Sequence, residues 1–391
     1  MGLPIQCAPS VLALRESERT IAADPKTSIS NPLHMWRVSI HPEWVVGPAG
    51  REPHPLPELL PLLTAIQTSG SIADAARVTS MSYRRAWGML RRFEQDFGAP
   101  LVIKTRGQGT RLSALAEKLL WADRRVAARL SPTLESLSSE LEGELESLLA
   151  PNRASLRINA SHGFAVAALV AALGRERVPV ELKYRTSTEA VAALARGECD
   201  LAGFHVAEGP FQKASVEPYL AWLDPHQHVL IHLAHRTQGL FVASGNPKGV
   251  RGLEDLARQD LRFVNRQVGS GTRVLIDLLL ARHRIEPARI VGYENTEFTH
   301  AAVAAYIASG MADVGFGLEA AARRFGLDFI ALLRERYFFA CEASAVGKSV
   351  LRNVLTLLRG GQMREVIDAL PGYDSRFTGT VIELEKAFGA G

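Results

Sequence analysis

The sequence predicts a multi-domain chain: an α+β winged helix-turn-helix head, a long helix, and a larger two-lobed α/β domain. Three observations predict it. Residues 70–92, GSIADAARVTSMSYRRAWGMLRR, set a small-residue helix and a basic helix on either side of a tight break. Residues 113–149 then carry leucines at helical spacing over far more than one globular face. From Ser155 onward, strand-like and helical runs alternate, which implies α/β structure with mostly parallel strands.

The elements follow in order. Residues 1–34 contain Pro4, Pro9, Pro25 and Pro32 and show no period, so they read as a disordered tail, with Met35 as an alternative start. Trp36–Ile40 and Trp44–Val46 are β-like. Leu56–Thr68 reads as a helix that turns Leu59, Leu60, Leu63 and Ile66 inward. Ile72, Ala75, Ala76 and Val78 form the inner face of the next helix, with Ser71 as N-cap. Ser82 opens the basic helix, which places Ala86, Met89, Leu90 and Phe93 inward and Arg84, Arg85, Arg91 and Arg92 outward. Such a pair is the helix-turn-helix pattern, whose second helix lies in the DNA major groove. Leu101–Thr105, the turn Arg106–Thr110 and Arg111–Leu112 predict a β-hairpin, the wing, with Gly107 and Gly109 free to adopt positive φ. The DNA contacts expected are Ser71, Ser82, Tyr83, Arg84, Arg85 and Arg91 from the helices, and Lys104, Arg106 and Arg111 from the wing. Trp87 is expected in the core rather than stacked on bases.

Charge supports this placement. Twelve Lys/Arg face six Asp/Glu between Leu56 and Leu130, although the whole chain of 391 residues carries only +4. Basic charge therefore gathers where phosphates would need neutralising. The next twenty residues hold five glutamates and no base.

Ser113–Leu149 is a long helical pattern, broken at most near Ser131–Pro132, where Ser131 is placed to cap a second segment. Its stripe of Leu115, Leu119, Leu120, Val126, Leu130, Leu134, Leu137, Leu141, Leu145 and Leu148 outruns the small head. A second copy of the chain covers it economically, with packing on the C-terminal domain as the other option. Within the α/β region, separate strands are expected at Val229–Ala234 and Gly239–Ala243. Ligands of such sheets sit beyond strand ends, at helix N-termini. Three ends stand out: Ser161-His162-Gly163, Gly203-Phe204-His205, and Asn265–Arg273. The last combines Gly269 and Gly271 with Ser270, Thr272, Arg266 and Arg273, a set suited to a small anion, but lacks the lysine of a P-loop. The ligand residues expected are Ser161, His162, His205, Asn265, Arg266, Gly269, Ser270, Gly271, Thr272, Arg273 and Thr299. His162, His205 and His300 sit in separate loops without metal-ligand spacing, so no metal is expected. No GxSxG elbow or activated Ser–His–Asp set appears, so no catalytic residue and no enzyme are expected. Cys7, Cys199 and Cys341 are widely spaced, which favours a reducing compartment. No apolar run is long enough to span a membrane and no secretory signal is evident, so a cytoplasmic location is expected.

The residues also carry a resemblance. Residues 60–121, with GSIADAA, MSYRRAW and LSALAEKLL, resemble the N-terminal domain of the ModE molybdate-responsive regulators, a LysR-like winged helix with a dimerising helix. Ser82–Trp87 is the specific part. Residues 153–345, through Asn265–Arg273 and Ala312–Gly317, resemble the periplasmic-binding-protein-like domain attached to such regulators and to some molybdenum-cofactor synthesis proteins. The resemblance implies domains at 35–112 (winged helix), 113–150 (linker and dimerisation helix) and 151–391 (two-lobed, effector-binding). It implies a one-component regulator that binds an operator as a homodimer or tetramer, uses no cofactor, and senses molybdate or tungstate first. A small carboxylate such as formate, or a pterin-linked molybdenum species, fits the same donors. One departure matters: this chain lacks the small OB-like modules with which ModE senses oxyanions, so sensing falls to the C-terminal half. A cytoplasmic ligand- or cofactor-binding protein without specific DNA binding is the reading from another class.

Overall fold

A computed structural model describes residues 36–50, 52–105, 109–149 and 155–389. The expected tail 1–34, Cys7, and the turn residues Arg106 and Gly107 lie outside the described residues.

The head opens on a two-stranded ladder, β1 (Val45–Val46) with β2 (His54–Pro55). Trp36–Ile40, expected to be β-like, is not a strand; this stretch runs past the long helix instead, where the Val38 amide donates to Glu142 at 2.8 Å. Three helices follow: α1 (Leu59–Ser69), α2 (Ile72–Val78) and α3 (Tyr83–Phe97). Ser71 and Ser82 cap α2 and α3, each accepting from the amide three residues on, at 3.3 and 3.2 Å. Gly70 and Gly98 end α1 and α3 in the left-handed conformation. Leu59, Leu63, Ile66, Ala75, Ala86, Leu90 and Phe93 close one core. The wing pairs β3 (Val102–Thr105) with β4 (Gly109–Leu112), and the Thr110 amide donates to the Gly70 carbonyl at 2.7 Å, which pins the wing to the turn between α1 and α2.

One helix, α4 (Ala114–Leu149), runs 36 residues with no break at Ser131–Pro132, where the sequence allowed one, about 54 Å at 1.5 Å per residue. Pro132 lies inside it. A proline has no N–H for the carbonyl four residues back, here Ala128, and that carbonyl instead accepts from the Thr299 hydroxyl at 3.0 Å. Ser131 therefore caps nothing; its hydroxyl bonds Glu135 within the same helix.

The α/β domain alternates β5 (Leu156–Ala160), α5 (Phe164–Arg175), β6 (Val180–Tyr184), α6 (Ser187–Ala195), β7 (Leu201–Ala207) and α7 (Gln212–Leu220). After β8 (His228–Val242) come β9 (Phe263–Arg266), α8 (Gly271–Arg282), β10 (Thr296–Glu297), α9 (His300–Ala308), β11 (Val314–Leu318), α10 (Glu319–Arg324) and β12 (Asp328–Glu342). The chain closes with α11 (Ser349–Arg359), α12 (Gly361–Asp368), β13 (Tyr373–Asp374), β14 (Val381–Glu383) and α13 (Leu384–Phe388). Strand order is β10-β9-β11-β8-β12-β7-β5-β6, with β13 and β14 also on β8. Parallel strands β6-β5-β7 make one lobe and β10-β9-β11 the other. The antiparallel pair β8 and β12 crosses between them, from His228 opposite Glu342 to Val242 opposite Asp328.

Two expectations are corrected here. The strands expected at 229–234 and 239–243 are one continuous β8. The polar run His235-Arg236-Thr237-Gln238 that suggested a break is the stretch where β8 passes from lobe to lobe, with His235, Arg236 and Gln238 all buried. The sheet is also mixed rather than mostly parallel, because both crossing strands oppose their neighbours.

Candidate functional site: a cationic cleft between the lobes

The two lobes and α4 enclose a cleft of about 230 Å³. Four helix N-termini converge on it: Ser161 and His162 ahead of α5, Thr186 and Ser187 at α6, Ser270 to Thr272 at α8, and Phe298 and His300 at α9. Each N-terminus presents backbone N–H groups and the positive end of the helix dipole. The sequence dictates this arrangement, since each helix starts just beyond the carboxyl end of a strand, capped by Thr186, Ser270 or Thr299 at α6, α8 and α9.

Two guanidinium groups reach the cleft from its floor. Arg236, 2 % exposed, pairs with the fully buried Glu335 on the neighbouring strand and lies 4.9 Å from the Tyr337 ring centroid. Arg266, at the end of β9, is buried too. It donates to the Phe298 carbonyl at 2.7 Å, its Nε has no hydrogen-bond partner, and no carboxylate pairs with it among the described residues. Burial, with Arg236 nearby, pulls its pKa down to about 10, still charged at neutral pH. The floor thus holds an uncompensated positive charge. The three cleft histidines do not add to it. Burial lowers His162 and His205 to about 4, with Arg266 pushing both in the same direction, and holds His300 well below its ordinary value. All three are neutral at pH 7. Although they line one cleft, the described residues contain no group of three or more His, Cys, Asp or Glu able to hold a metal ion.

Of the expected ligand residues, Ser161, His162, His205, Arg266, Ser270, Gly271 and Thr272 line the cleft. Four do not line it. Asn265 is buried behind, donating to the Tyr293 carbonyl at 3.3 Å and accepting from the Arg266 amide at 2.9 Å. Arg273 turns away, pairing with Asp277 at 3.2 Å and stacking over Tyr293. Gly269, with φ of 83°, makes the turn before α8 and borders a smaller pocket beside the cleft. Thr299 caps α9 and holds α4. Gly271 lets a different group approach than expected: a Cβ there would strike the His205 ring, so its bareness brings the two lobes together. His205 lies within β7, which runs on to Ala207, rather than in a loop beyond a strand end.

Sequence reasoning missed Arg236, Tyr184 to Ser187, and the contribution of Arg129, Pro132 and Thr133 from α4. Arg236 gave a signal, the one charged residue of the polar run 235–238, but its partner Glu335 lies 99 residues away.

At the head, Tyr83, Arg84, Arg85 and Arg91 are exposed on α3, as are Lys104 and Arg111 on the wing. Arg84 has no partner among the described residues, while Arg85 pairs with Glu58 at 2.6 Å. Ser71 and Ser82 serve first as caps. Trp87 is half-buried against the core, with its ring beneath both Lys104, 4.2 Å from its centroid, and Arg91 at 4.9 Å. It thereby joins α3 to the wing. Arg106 lies outside the described residues.

Comparisons with known proteins agree with this division. Residues 57–117 match the model of the bacterial regulatory helix-turn-helix protein, lysR family, and residues 170–359 match that of a PBP superfamily domain. The chain thus joins an N-terminal helix-turn-helix region, similar to that of the lysR family, to a C-terminal PBP-like α/β domain. An uncharacterised protein, YvgK of Bacillus subtilis, is 33% identical over 200 residues, which are 51% of this chain and 64% of that one. The chain thus spans less than two thirds of that relative's length. An uncharacterised protein from the 5′ region of a ferredoxin gene of Clostridium pasteurianum is 29% identical over 110 residues, 28% of this chain and 97% of the relative. Among solved structures, an OxyR variant of Corynebacterium glutamicum with bound H2O2 is 17% identical, covering 79% of this chain and 92% of its own, with a TM-score of 0.41. No helix of the described residues is long and apolar enough to cross a membrane.

Proposed function

We propose that the protein is a one-component DNA-binding transcriptional regulator whose PBP-superfamily domain binds a small anion between its lobes. The observation that carries the ligand class is Arg266: a buried guanidinium with no carboxylate partner, at the focus of four helix N-termini. The cavity, at about 230 Å³, is smaller than those that enclose drug-sized ligands. That favours an oxyanion such as molybdate or tungstate, the first candidates, or a small carboxylate such as formate, over a pterin-linked species. The regulator reading is supported by the LysR-family match over residues 57–117 and by the exposed arginines of α3. A homodimer is part of it: Leu137, Leu141, Leu145 and Leu148 remain exposed along α4, a seam a second copy would cover.

Thermal unfolding with molybdate, tungstate and formate tests the ligand. At least one of them should raise the midpoint, and Arg266→Ala should remove the effect. No shift with any of the three removes this reading of the cleft. For DNA, duplexes selected by the protein from a random library should be bound with steep salt dependence, and the pair Arg84→Ala and Arg85→Ala should abolish selection. Unchanged selectivity in that double variant would overturn the assignment of α3 as the DNA reader, whereas a parent protein that selects no duplex would favour a ligand-binding protein whose helix-turn-helix serves assembly.

A further inference from the structure

The cleft has a third wall. Five residues of α4 hold the PBP-superfamily domain from one face of the helix, on both sides of the cleft mouth. Toward the lobe of β9 to β11, Arg125 donates to the Met311 sulfur at 3.0 Å, Ala128 accepts from Thr299 at 3.0 Å, and Arg129 pairs with Glu297 at 3.0 Å. Toward the lobe of β5 to β7, Ser136 accepts from the Tyr184 amide at 2.9 Å, and Ser139 accepts from the Leu182 amide at 2.7 Å while donating to the Val180 carbonyl at 3.2 Å. The stretch from 129 to 136 covers about 10 Å of helix and bridges the lobes. Arg129, Pro132 and Thr133 of this stretch line the cleft.

Resting on the anion reading above, we propose that Arg129 and Thr133 of α4 are ligand contacts, so that the helix carrying the DNA-binding head senses the anion directly. Residues 129 and 133 stand one turn apart on the same face. The Arg129 side chain is 43 % exposed while that of its partner Glu297 is almost wholly buried, so the arginine is the member of the pair with room to turn toward the cleft. An anion on Arg266 competes with Glu297 for it. The head packs on the same continuous helix through Ala116 and Leu120, and Trp44 donates to Asp123 at 3.1 Å. A pull on Arg129 is therefore applied six residues from a contact of the head.

The test titrates the full chain with sodium molybdate and sodium formate, following thermal shift and calorimetric affinity. Arg129→Ala should weaken binding about tenfold or more, as loss of a charge-assisted hydrogen bond does, and Thr133→Val less. Glu297→Gln, which frees Arg129 for the anion, should bind at least as tightly as the parent. The combination of Arg129→Ala with Glu297→Gln leaves no unpaired buried charge and should remain weak. Parent-like affinity in that combination would show that Arg129 only neutralises Glu297, and the proposal falls. If Arg266→Ala loses binding while Arg129→Ala and Thr133→Val keep it, the proposal falls and the cleft reading stands. If neither these salts nor sodium tungstate shifts the parent protein, both fall. In the parent, anion binding should also raise amide-exchange protection across residues 126–136; unchanged exchange there counts against the proposal.

Discussion

Arg266 illustrates how one side chain sets the chemistry of a site. Moving a guanidinium out of water is costly unless its charge is met. The nearby carboxylate Glu335 is already engaged by Arg236. The charge that remains is the basis of the proposed anion binding, and it adds to the burial that keeps His162, His205 and His300 neutral. These depressed histidine values fix a pH dependence. Above pH 6.5 the rings are neutral in both folded and unfolded chain and cost nothing. As pH falls from 6.5 towards 4 the unfolded chain takes up protons that the folded one refuses, so stability is lost across that window. The loss is up to about 3 kcal/mol for His205 at one pKa unit per 1.4 kcal/mol. Melting curves between pH 7 and 4.5 should fall accordingly, and His205→Gln should flatten the slope. On the head, Glu58 holds Arg85 in an exposed pair. Glu58→Gln is expected to tighten duplex binding and steepen its salt dependence, as a cation is released for phosphate; binding titrations at several salt concentrations check this.

At the scale of elements, what the sequence made legible depended on whether the partner was local. Ser71 and Ser82 announce their helices because a cap bonds three residues away, and the Asn265–Arg273 turn is visible because glycines, hydroxyls and charge are contiguous. Two elements misled for the same reason in reverse. Pro132 reads as a break, yet the helix continues because Thr299, from another domain, takes the orphaned carbonyl. Residues 235–238 read as a loop, yet they are strand because Glu335 and the crossing geometry shelter their polarity. The hold of α4 on β6 is testable. Ser139→Ala leaves a buried amide and a carbonyl unmet and should cost about 2 kcal/mol. Ser136→Ala frees one amide and should cost less, with denaturant titration as the measure. In the wing, Gly109 has φ of 81° and a Cβ there would sit 2.7 Å from the Gly70 carbonyl. Gly109→Ala should therefore loosen the hairpin and weaken duplex binding with little change in anion affinity.

For the whole molecule, three continuous elements join the lobes: β8, β12 and α4. The first two are strands that cross in the sheet, and the third is the helix that also carries the head. The exposed leucines of α4 lie away from the bonds that hold the lobes, so one helix can serve a partner copy and its own domain together. Leu141→Glu with Leu145→Glu should convert a dimer to monomers in sedimentation without changing the anion affinity of the cleft.

The position of β6 has a consequence of a different kind. It ends the sheet order, and a terminal strand offers a row of unpaired backbone groups to any other chain. Here the hydroxyls of Ser136 and Ser139 occupy that row. The helix thus doubles as a guard rail against strand-to-strand association. Any state in which α4 lifts away from the sheet uncovers a sticky border, which limits how far the helix can travel. It also means that severing the chain after residue 149 would strip the α/β domain of its protection and invite self-association.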